Sequence, residues 1–242
     1  MARHIAIVED EATIRHNYED ALRRFGYQVS GYGDKHSALA VFKRRLPDLV
    51  IIDVGLGDDI EGGFELCREL RSLSRSLPII FLTARDSDLD VISGLRLGAD
   101  DYLTKDISLQ HLVARVVALF RRVEALSGGA SNEQLLERGP LKFSVERMEV
   151  SWNGVPVPLT VTEFWLIHSL IRHPGHVRTR AQLMDDANVL VDDQTITSHV
   201  KRIRRKFVKT DAGFDRLDTV YGAGYRWKPE SAQGGELNGD AG

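Results

Sequence analysis

The chain has 242 residues, of which 43% are hydrophobic and 28% charged, with a formal net charge of −3 at neutral pH. That length fits one large domain or two ordinary ones, with enough apolar residues for real cores. Cys67 stands alone, which excludes an intramolecular disulfide and a thiolate metal cage. No apolar run approaches bilayer-spanning length, and the opening MARHIAIVED lacks a secretory h-region. A cytoplasmic protein with no membrane partner is expected.

Strand-like and helix-like segments alternate in the first half. The runs IAIV at 5–8, LVII at 49–52 and IIFL at 79–82 are short, continuous and apolar, as suits strands buried on both faces of a parallel sheet. Ile14, Tyr18, Leu22 and Phe25 recur along an amphipathic stretch, and Gly26 follows as a helix stop. Asp34 opens the next helix and Pro47 closes it. Ser108 caps a later one with Leu112, Val116, Leu119 and Val123 on one side. A β-α unit repeated about five times in roughly 120 residues gives an α/β fold, a doubly wound parallel sheet of five strands.

This first domain is expected over residues 1–122. The stretch EALSGGASNEQLLER that follows is rich in Ser, Gly and Glu, so 123–138 reads as a linker. A second, α+β domain is expected over 139–229. MEVSWNGVPVPLT places an Asn-Gly turn between two short strands. Thr160 with Glu163, and Thr179 with Gln182, are capping boxes that open two helices, and HisProGly at 173–175 ends the first. A third helix over roughly 194–207 carries Ile196, Val200, Ile203 and Phe207 as its apolar stripe. RLDTVYGAGYRW then reads as a hairpin, and the Gly-rich tail 230–242 as disordered. Charge divides along the same boundary. Residues 139–229 carry 14 Lys and Arg against 10 Asp and Glu, a net of +4 that leaves −7 for the rest. An acidic half joined to a basic half points to nucleic acid as a partner of the second half only.

Chemistry concentrates at strand ends. Glu9 and Asp10 end the first strand and Asp53 the third. In a doubly wound sheet these ends are neighbours at the switch point where ligands bind. Three crowded carboxylates either rise in pKa or hold a divalent cation, and oxygen-only ligands favour Mg²⁺. Thr83 ends the fourth strand and Lys105 the fifth. A hydroxyl and an ammonium beside a metal-held carboxylate form a receptor for phosphoryl oxygens. Any one such residue is ordinarily just solvated; five of the right types at consecutive strand ends make a site.

The segments IAIVEDE, LVIIDVGL, IIFLTARD and GADDYLTKD resemble the receiver domain of two-component response regulators, a flavodoxin-like fold, from residue 4 to about 122. The resemblance implies that Asp53 accepts a phosphoryl group from the phosphohistidine of a sensor histidine kinase. It implies that Glu9, Asp10, Asp53 and the carbonyl of Gly55 hold Mg²⁺, that Lys105 and Thr83 engage the phosphoryl group, and that Tyr102 turns inward. Two departures stand out. Asp106 follows Lys105 where the family usually has a proline with a cis peptide. The loop VGLGDDIEGGF is longer than the common pattern and lacks its proline, and Asp58, Asp59 and Glu61 in it are either solvated or tune metal binding and dephosphorylation.

TITSHVKRIRRKFVK holds six Lys and Arg between Lys201 and Lys209 with no acid. With the apolar stripe inward, Thr195, Ser198, His199, Lys201, Arg202, Arg205 and Lys209 are expected to face outward. Short polar side chains followed by basic ones suit a helix entering the major groove. LTVTEFWLIHSL, RTRAQL, TITSHVKRIRRKF and TVYGAGYRW resemble the winged-helix effector domain of the OmpR/PhoB class, over about residues 139–228. The resemblance implies base contacts by Thr195, Ser198 and Arg202, and phosphate contacts by His199, Lys201, Arg204 and Thr219. Tyr221 sits in the wing where an arginine commonly reaches the minor groove. It also implies double-stranded promoter DNA and RNA polymerase as partners.

Phosphorylation is expected to drive a homodimer through the fourth helix, the fifth strand and the helix after it, with Asp100, Asp101, Arg115 and Arg122 pairing across a two-fold axis. A further Lys–Glu pair of the class is replaced by Val91 and His111, so apolar burial by Ile92, Leu95 and Ala114 is expected at its centre. More narrowly, IDVGLGDDIEGGF, YLTKDIS and VDDQTITSHVKRIRRKF resemble the response regulator of the proteobacterial dedicated sortase system. Two other readings compete: an Mg²⁺-dependent phosphatase with an Asp nucleophile, and a receiver that acts as a dimerisation module without phosphorylation. The first predicts cap insertions that are absent and leaves the basic domain unexplained. The intact Asp53, Thr83 and Lys105 set argues against the second.

Overall fold

The computed structural model describes residues 2–84, 97–127, 135–187 and 193–229. Its first part runs β1 (His4–Val8), α1 (Ala12–Arg24), β2 (Gln28–Tyr32), α2 (Lys35–Phe42), β3 (Leu49–Ile52), α3 (Gly62–Leu73), β4 (Ile79–Thr83), β5 (Asp101–Thr104) and α4 (Leu109–Ser127). The strands form one parallel sheet in the order β2-β1-β3-β4-β5. Alternate strand residues point to opposite faces. Ile5, Ile7, Leu49, Ile51, Ile80 and Leu82 pack against α1 and α4. Ala6, Val8, Val50, Ile52, Ile79 and Phe81 pack against α2 and α3. This two-sided burial is why the strand sequences are continuously apolar rather than alternating. Phe25, read as part of the apolar face of α1, lies past its end and is 59% exposed.

The second part comprises β6 (Leu135–Arg138), β7 (Leu141–Ser144), β8 (Glu149–Trp152), β9 (Val155–Pro156), α5 (Val161–Arg172), α6 (Arg180–Asp186), α7 (Asp193–Thr210), β10 (Leu217–Val220) and β11 (Gly224–Trp227). Strands β6 to β9 form an antiparallel sheet in sequence order, and β10 pairs with β11 as the wing. Asn153 (φ 51°) and Gly154 (φ 77°) make the β8–β9 turn in the left-handed region that an Asn-Gly pair tolerates. The capping box is in place at α5, where the Thr160 amide donates to Glu163 at 2.8 Å. A second one opens α6 through Thr179 and Gln182. The stripe Ile196, Val200, Ile203 and Phe207 on α7 is fully buried. Trp152 packs edge-on against Phe207, Phe214 and Trp227, with ring centroids 5.0–6.2 Å apart.

The stretch read as linker is partly structured. Residues up to Ser127 continue α4, and Leu135–Arg138 form β6, paired with β7. The tail 230–242, and Val91, Ile92 and Leu95 of the expected dimer face, lie outside the described residues.

Candidate functional site

The carboxyl ends of β1 and β3 adjoin because β1 pairs with β3 at the point where the strand order reverses. Glu9, Asp10 and Asp53 meet there, with one carboxylate oxygen from each lying within 4.8 Å of the others. Glu9 and Asp53 are buried and Asp10 is exposed. Lys105, just beyond β5, reaches across the sheet ends: its Nζ lies 2.6 Å from Asp53 Oδ2 and 2.7 Å from Glu9 Oε2. Burial raises the Glu9 carboxyl above its ordinary pKa; Lys105 pulls it down and the Asp53 charge adds to the rise. For Lys105, burial opposes the charge, but the bonds to Asp53 and Glu9 outweigh it and lift the ammonium above its usual value. Thr83 closes β4 at 2% exposure, and Tyr102 is buried against Phe81. The cluster therefore brings together Glu9, Asp10, Asp53 and Lys105.

The long loop after Asp53 is tied down from outside. Lys35, the first residue of α2, pairs with both Asp59 and Glu65 at 2.5 Å. Asp59 and Leu56 bridge to each other through their backbones. Asp59 thus spends its charge on Lys35, outside the carboxylate cluster. At the head of α3, a Cβ on Gly63 would sit 1.9 Å from the Asp53 carbonyl oxygen. Only a glycine lets α3 begin this close to the end of β3. Among the described residues every peptide bond is trans, Lys105–Asp106 included.

On the effector domain the outward face of α7 differs from the expected one. Lys201 and Arg205 are exposed and Ser198 is half-buried. Thr195, His199 and Arg202 are buried at 2%, 0% and 3% exposure. For Arg202, and for His199 bonded to it, the reason is a counter-charge inside the domain. Glu163 on α5 is fully buried and ion-paired to Arg202 and to Lys206, and Arg202 also reaches the Ala99 carbonyl of the first domain at 3.3 Å. Burial opposes the Glu163 charge, yet Arg202 and Lys206 hold its carboxyl down at about 2. Arg204 braces the wing, donating to the Leu217 carbonyl and to Thr219 Oγ1 at 2.9–3.2 Å. Tyr221, at the wing tip, is 95% exposed.

The expected dimer residues are placed just as unexpectedly. Asp100 and Arg122 are buried between the two domains. Asp100 Oδ2 accepts from Arg71 at 2.9 Å and from the Ile79 amide at 3.1 Å. Its Oδ1 accepts from the Thr162 amide at 3.1 Å. Arg122 donates to Thr162 Oγ1 at 2.7 Å, and Trp165 Nε1 donates to the Arg122 carbonyl at 3.2 Å. Asp101 pairs with Arg115 within the domain at 3.7 Å. His111 and Ala114 are exposed. Arg71, Thr162, Glu163 and Trp165 were not among the sequence candidates, and only Glu163 had a local signal, its capping-box spacing.

Two buried histidines give the effector domain an acid limit. Burial, then the Arg202 charge, pushes His199 down to about 3, and burial with Arg172 pushes His168 down to about 4. Both are neutral in the fold but titrate near 6.5 once unfolded. Their lowered folded values leave stability intact above pH 6.5. It falls as pH drops towards 4, by up to about 1.4 kcal/mol per pH unit for each histidine. The effector melting temperature should drop between pH 7 and pH 5, and drop less in His168→Phe; identical profiles for the two proteins would refute the assignment.

The comparisons with known proteins agree with this geometry. Residues 5–117 match the model of the response regulator receiver domain, and 154–227 that of the C-terminal domain of transcriptional regulatory proteins. The chain is 41% identical over 225 residues to the sensory transduction protein RegX3 of Mycolicibacterium smegmatis, covering 92% of this chain and 97% of the relative. It is 36% identical to the phosphate regulon transcriptional regulatory protein PhoB of Shigella dysenteriae, over 94% of this chain and 98% of that one. Among solved structures it is similar to the response regulator DrrB of Thermotoga maritima, described as an OmpR/PhoB homolog, with 27% identity and a TM-score of 0.51 over 94% of this chain and 100% of the other. No sortase-system name occurs among these relatives. Among the described residues no helix is long and apolar enough to cross a membrane.

Proposed function

Since the chain belongs to the OmpR/PhoB class of two-component response regulators, we propose that a sensor histidine kinase phosphorylates Asp53 and that the protein then binds promoter DNA as a dimer, with RNA polymerase as a further partner. The chain is a transcription regulator, with a receiver joined to a DNA-binding domain, rather than a turnover enzyme. The observation that carries the phosphorylation reading is Lys105 bridging Asp53 and Glu9 inside the carboxylate cluster. An Asp53 oxygen attacks the phosphorus, the P–N bond to the donor imidazole breaks, and the phosphoryl oxygens take over contacts with Lys105 and Thr83. Glu9, Asp10 and Asp53, an all-oxygen set, fit Mg²⁺, and the family resemblance adds the Gly55 carbonyl as a further ligand. Bound there, the ion would neutralise charge on the transferring group. Incubation with a small phosphodonor and Mg²⁺ should add one phosphoryl group by mass spectrometry, and excess chelator should prevent it. Labelling that persists in chelator would sink this reading.

For DNA, Ser198, Lys201, Arg204, Thr219 and Tyr221 supply the accessible contacts, while Thr195, His199 and Arg202 are withheld while buried. Lys201 is exposed and suits phosphate contact. Lys201→Ala should weaken binding to all duplexes alike and flatten the dependence of log K on log salt by about one unit. A loss confined to one sequence would reassign it to base reading. Control of a sortase-type surface-protein locus rests on three short sequence segments alone. Footprinting upstream of such a locus and upstream of the protein's own gene, with and without phosphodonor, tests it.

A further inference from the structure

We propose that Arg15 is the positioning residue of the carboxylate cluster: its guanidinium grips the main chain of Glu9 and Asp10 and so presets the geometry in which their side chains take a divalent cation. The proposal rests on the Mg²⁺ reading above and adds what holds that site in shape before the ion arrives.

The turn between β1 and α1 has few other supports. Its last tie to the sheet is the Glu9 amide, which donates to the Tyr32 carbonyl at 3.0 Å. Helical bonding begins when the Arg15 amide donates to the Glu11 carbonyl at 2.9 Å, and Glu11, at the N-cap of α1, makes no side-chain cap. Among the described residues no backbone amide donates to the carbonyls of Glu9 and Asp10. Both carbonyls go instead to Arg15, whose Nη1 donates to that of Glu9 and, at 3.2 Å, to that of Asp10. The two carboxylates depend on this grip unequally. That of Glu9 is buried and is also held by Lys105 at 2.7 Å and by the Glu11 amide at 3.3 Å. Asp10 is exposed, and among the described residues nothing bonds to its carboxylate. Its place in the cluster is set by the main chain alone.

Room for the grip is built into β2. A glycine inside a strand weakens it and marks a close approach. A Cβ on Gly31 would sit 1.8 Å from Glu19 Oε1 and 2.9 Å from Arg15 Cδ, and one on Gly33 would sit 3.5 Å from Arg15 Nη1. Bare backbone there lets the Arg15 stem lie over the end of β2 and carry its head to the acidic turn. Glu19, which shares that space, pairs with Arg23 at 2.8 Å. Arg15 itself forms no ion pair among the described residues and spends its donors on the two carbonyls. Bonded to the main chain rather than to the carboxylates, it fixes the ligands while leaving their oxygens free for the ion.

Arg15→Met keeps the stem and removes the donors. Arg15→Lys keeps the charge but ends one atom short. Titration calorimetry of the full chain with Mg²⁺ alone reads affinity, and a melting scan without Mg²⁺ reads the fold. Arg15→Met should bind Mg²⁺ about 10–100-fold more weakly, the usual effect of losing a partner just outside a metal's ligands. Arg15→Lys should recover only part of that loss. With a small phosphodonor, the Mg²⁺ concentration for half-maximal labelling should rise by the same factor, and added Mg²⁺ should recover most of the lost rate. An unchanged affinity in Arg15→Met overturns the proposal. So does full recovery in Arg15→Lys, which would make the nearby charge sufficient. So does a rate that stays low at saturating Mg²⁺ and falls with the melting temperature, the mark of a merely structural tie. If the wild type itself takes up no Mg²⁺, the Mg²⁺ reading fails and takes this proposal with it, an outcome distinct from the others because in each of them the wild type binds.

Discussion

Lys105→Ala is expected to slow labelling of Asp53 by a small phosphodonor by about 10²–10³-fold, the usual effect of losing one preorganised donor aimed at developing charge. Lys105 Nζ already lies 2.6 Å from Asp53 Oδ2 and is held there by a second carboxylate, Glu9. Lys105 has only to pass from these carboxylates to the phosphoryl oxygens when the group arrives. Without the ammonium, Glu9 and Asp53 also lose their shared counter-charge, and the receiver should become more dependent on Mg²⁺ for stability. Asp53→Asn should abolish labelling outright, which separates a missing acceptor from a missing donor. A time course by mass spectrometry at saturating Mg²⁺ checks both, and an unchanged rate in Lys105→Ala would mean that the lysine is only a structural tie.

Glu163→Gln should destabilise the effector domain by ~3–5 kcal/mol, because removing one partner of a buried ion pair leaves the other uncompensated. The glutamine keeps the capping-box acceptor for the Thr160 amide, so the substitution isolates the charge. Arg202, at 3% exposure, and Lys206 then face a neutral amide. The pH dependence has a definite sign. With the folded carboxyl at about 2 and its ordinary value at 4.5, the stabilisation is complete above pH 4.5 and is lost as pH falls towards 2. Calorimetry of wild type and variant should show the effector transition moved down at neutral pH and the gap closing in acid. A constant gap across that range would exclude the ion pair as its source.

The strands and the cluster of Glu9, Asp10, Asp53 and Lys105 were legible in the sequence because each rests on a local rule. Continuous apolar runs mark strands covered on both faces, and the residues after those runs fall together at the sheet's carboxyl edge. The contact between the two domains had no such signature: Asp100 and Thr162 are 62 residues apart, and Arg202 and Ala99 are 103 apart. On α7 the apolar stripe was correctly placed, but Thr195, His199 and Arg202 were read as outward because polar side chains are mostly exposed. Glu163, visible in the sequence only as a capping residue, is the buried anion that overrides that rule for Arg202. The strand β6 was missed because LLER sits in a Gly- and Ser-rich stretch and takes its pairing from β7, not from its own pattern.

The aromatic packing of the effector domain has a spectroscopic consequence. The chain's three tryptophans, Trp152, Trp165 and Trp227, all lie in that domain, and the receiver has none. Emission excited at the red edge of the protein band therefore comes from the effector alone. Trp152 and Trp227 sit in the aromatic cluster and report its melting. Trp165, bonded to the Arg122 carbonyl, faces the receiver. A denaturant curve followed by emission and one followed by far-ultraviolet circular dichroism will then diverge wherever the receiver unfolds separately, which makes the untagged protein its own two-channel reporter of domain stability.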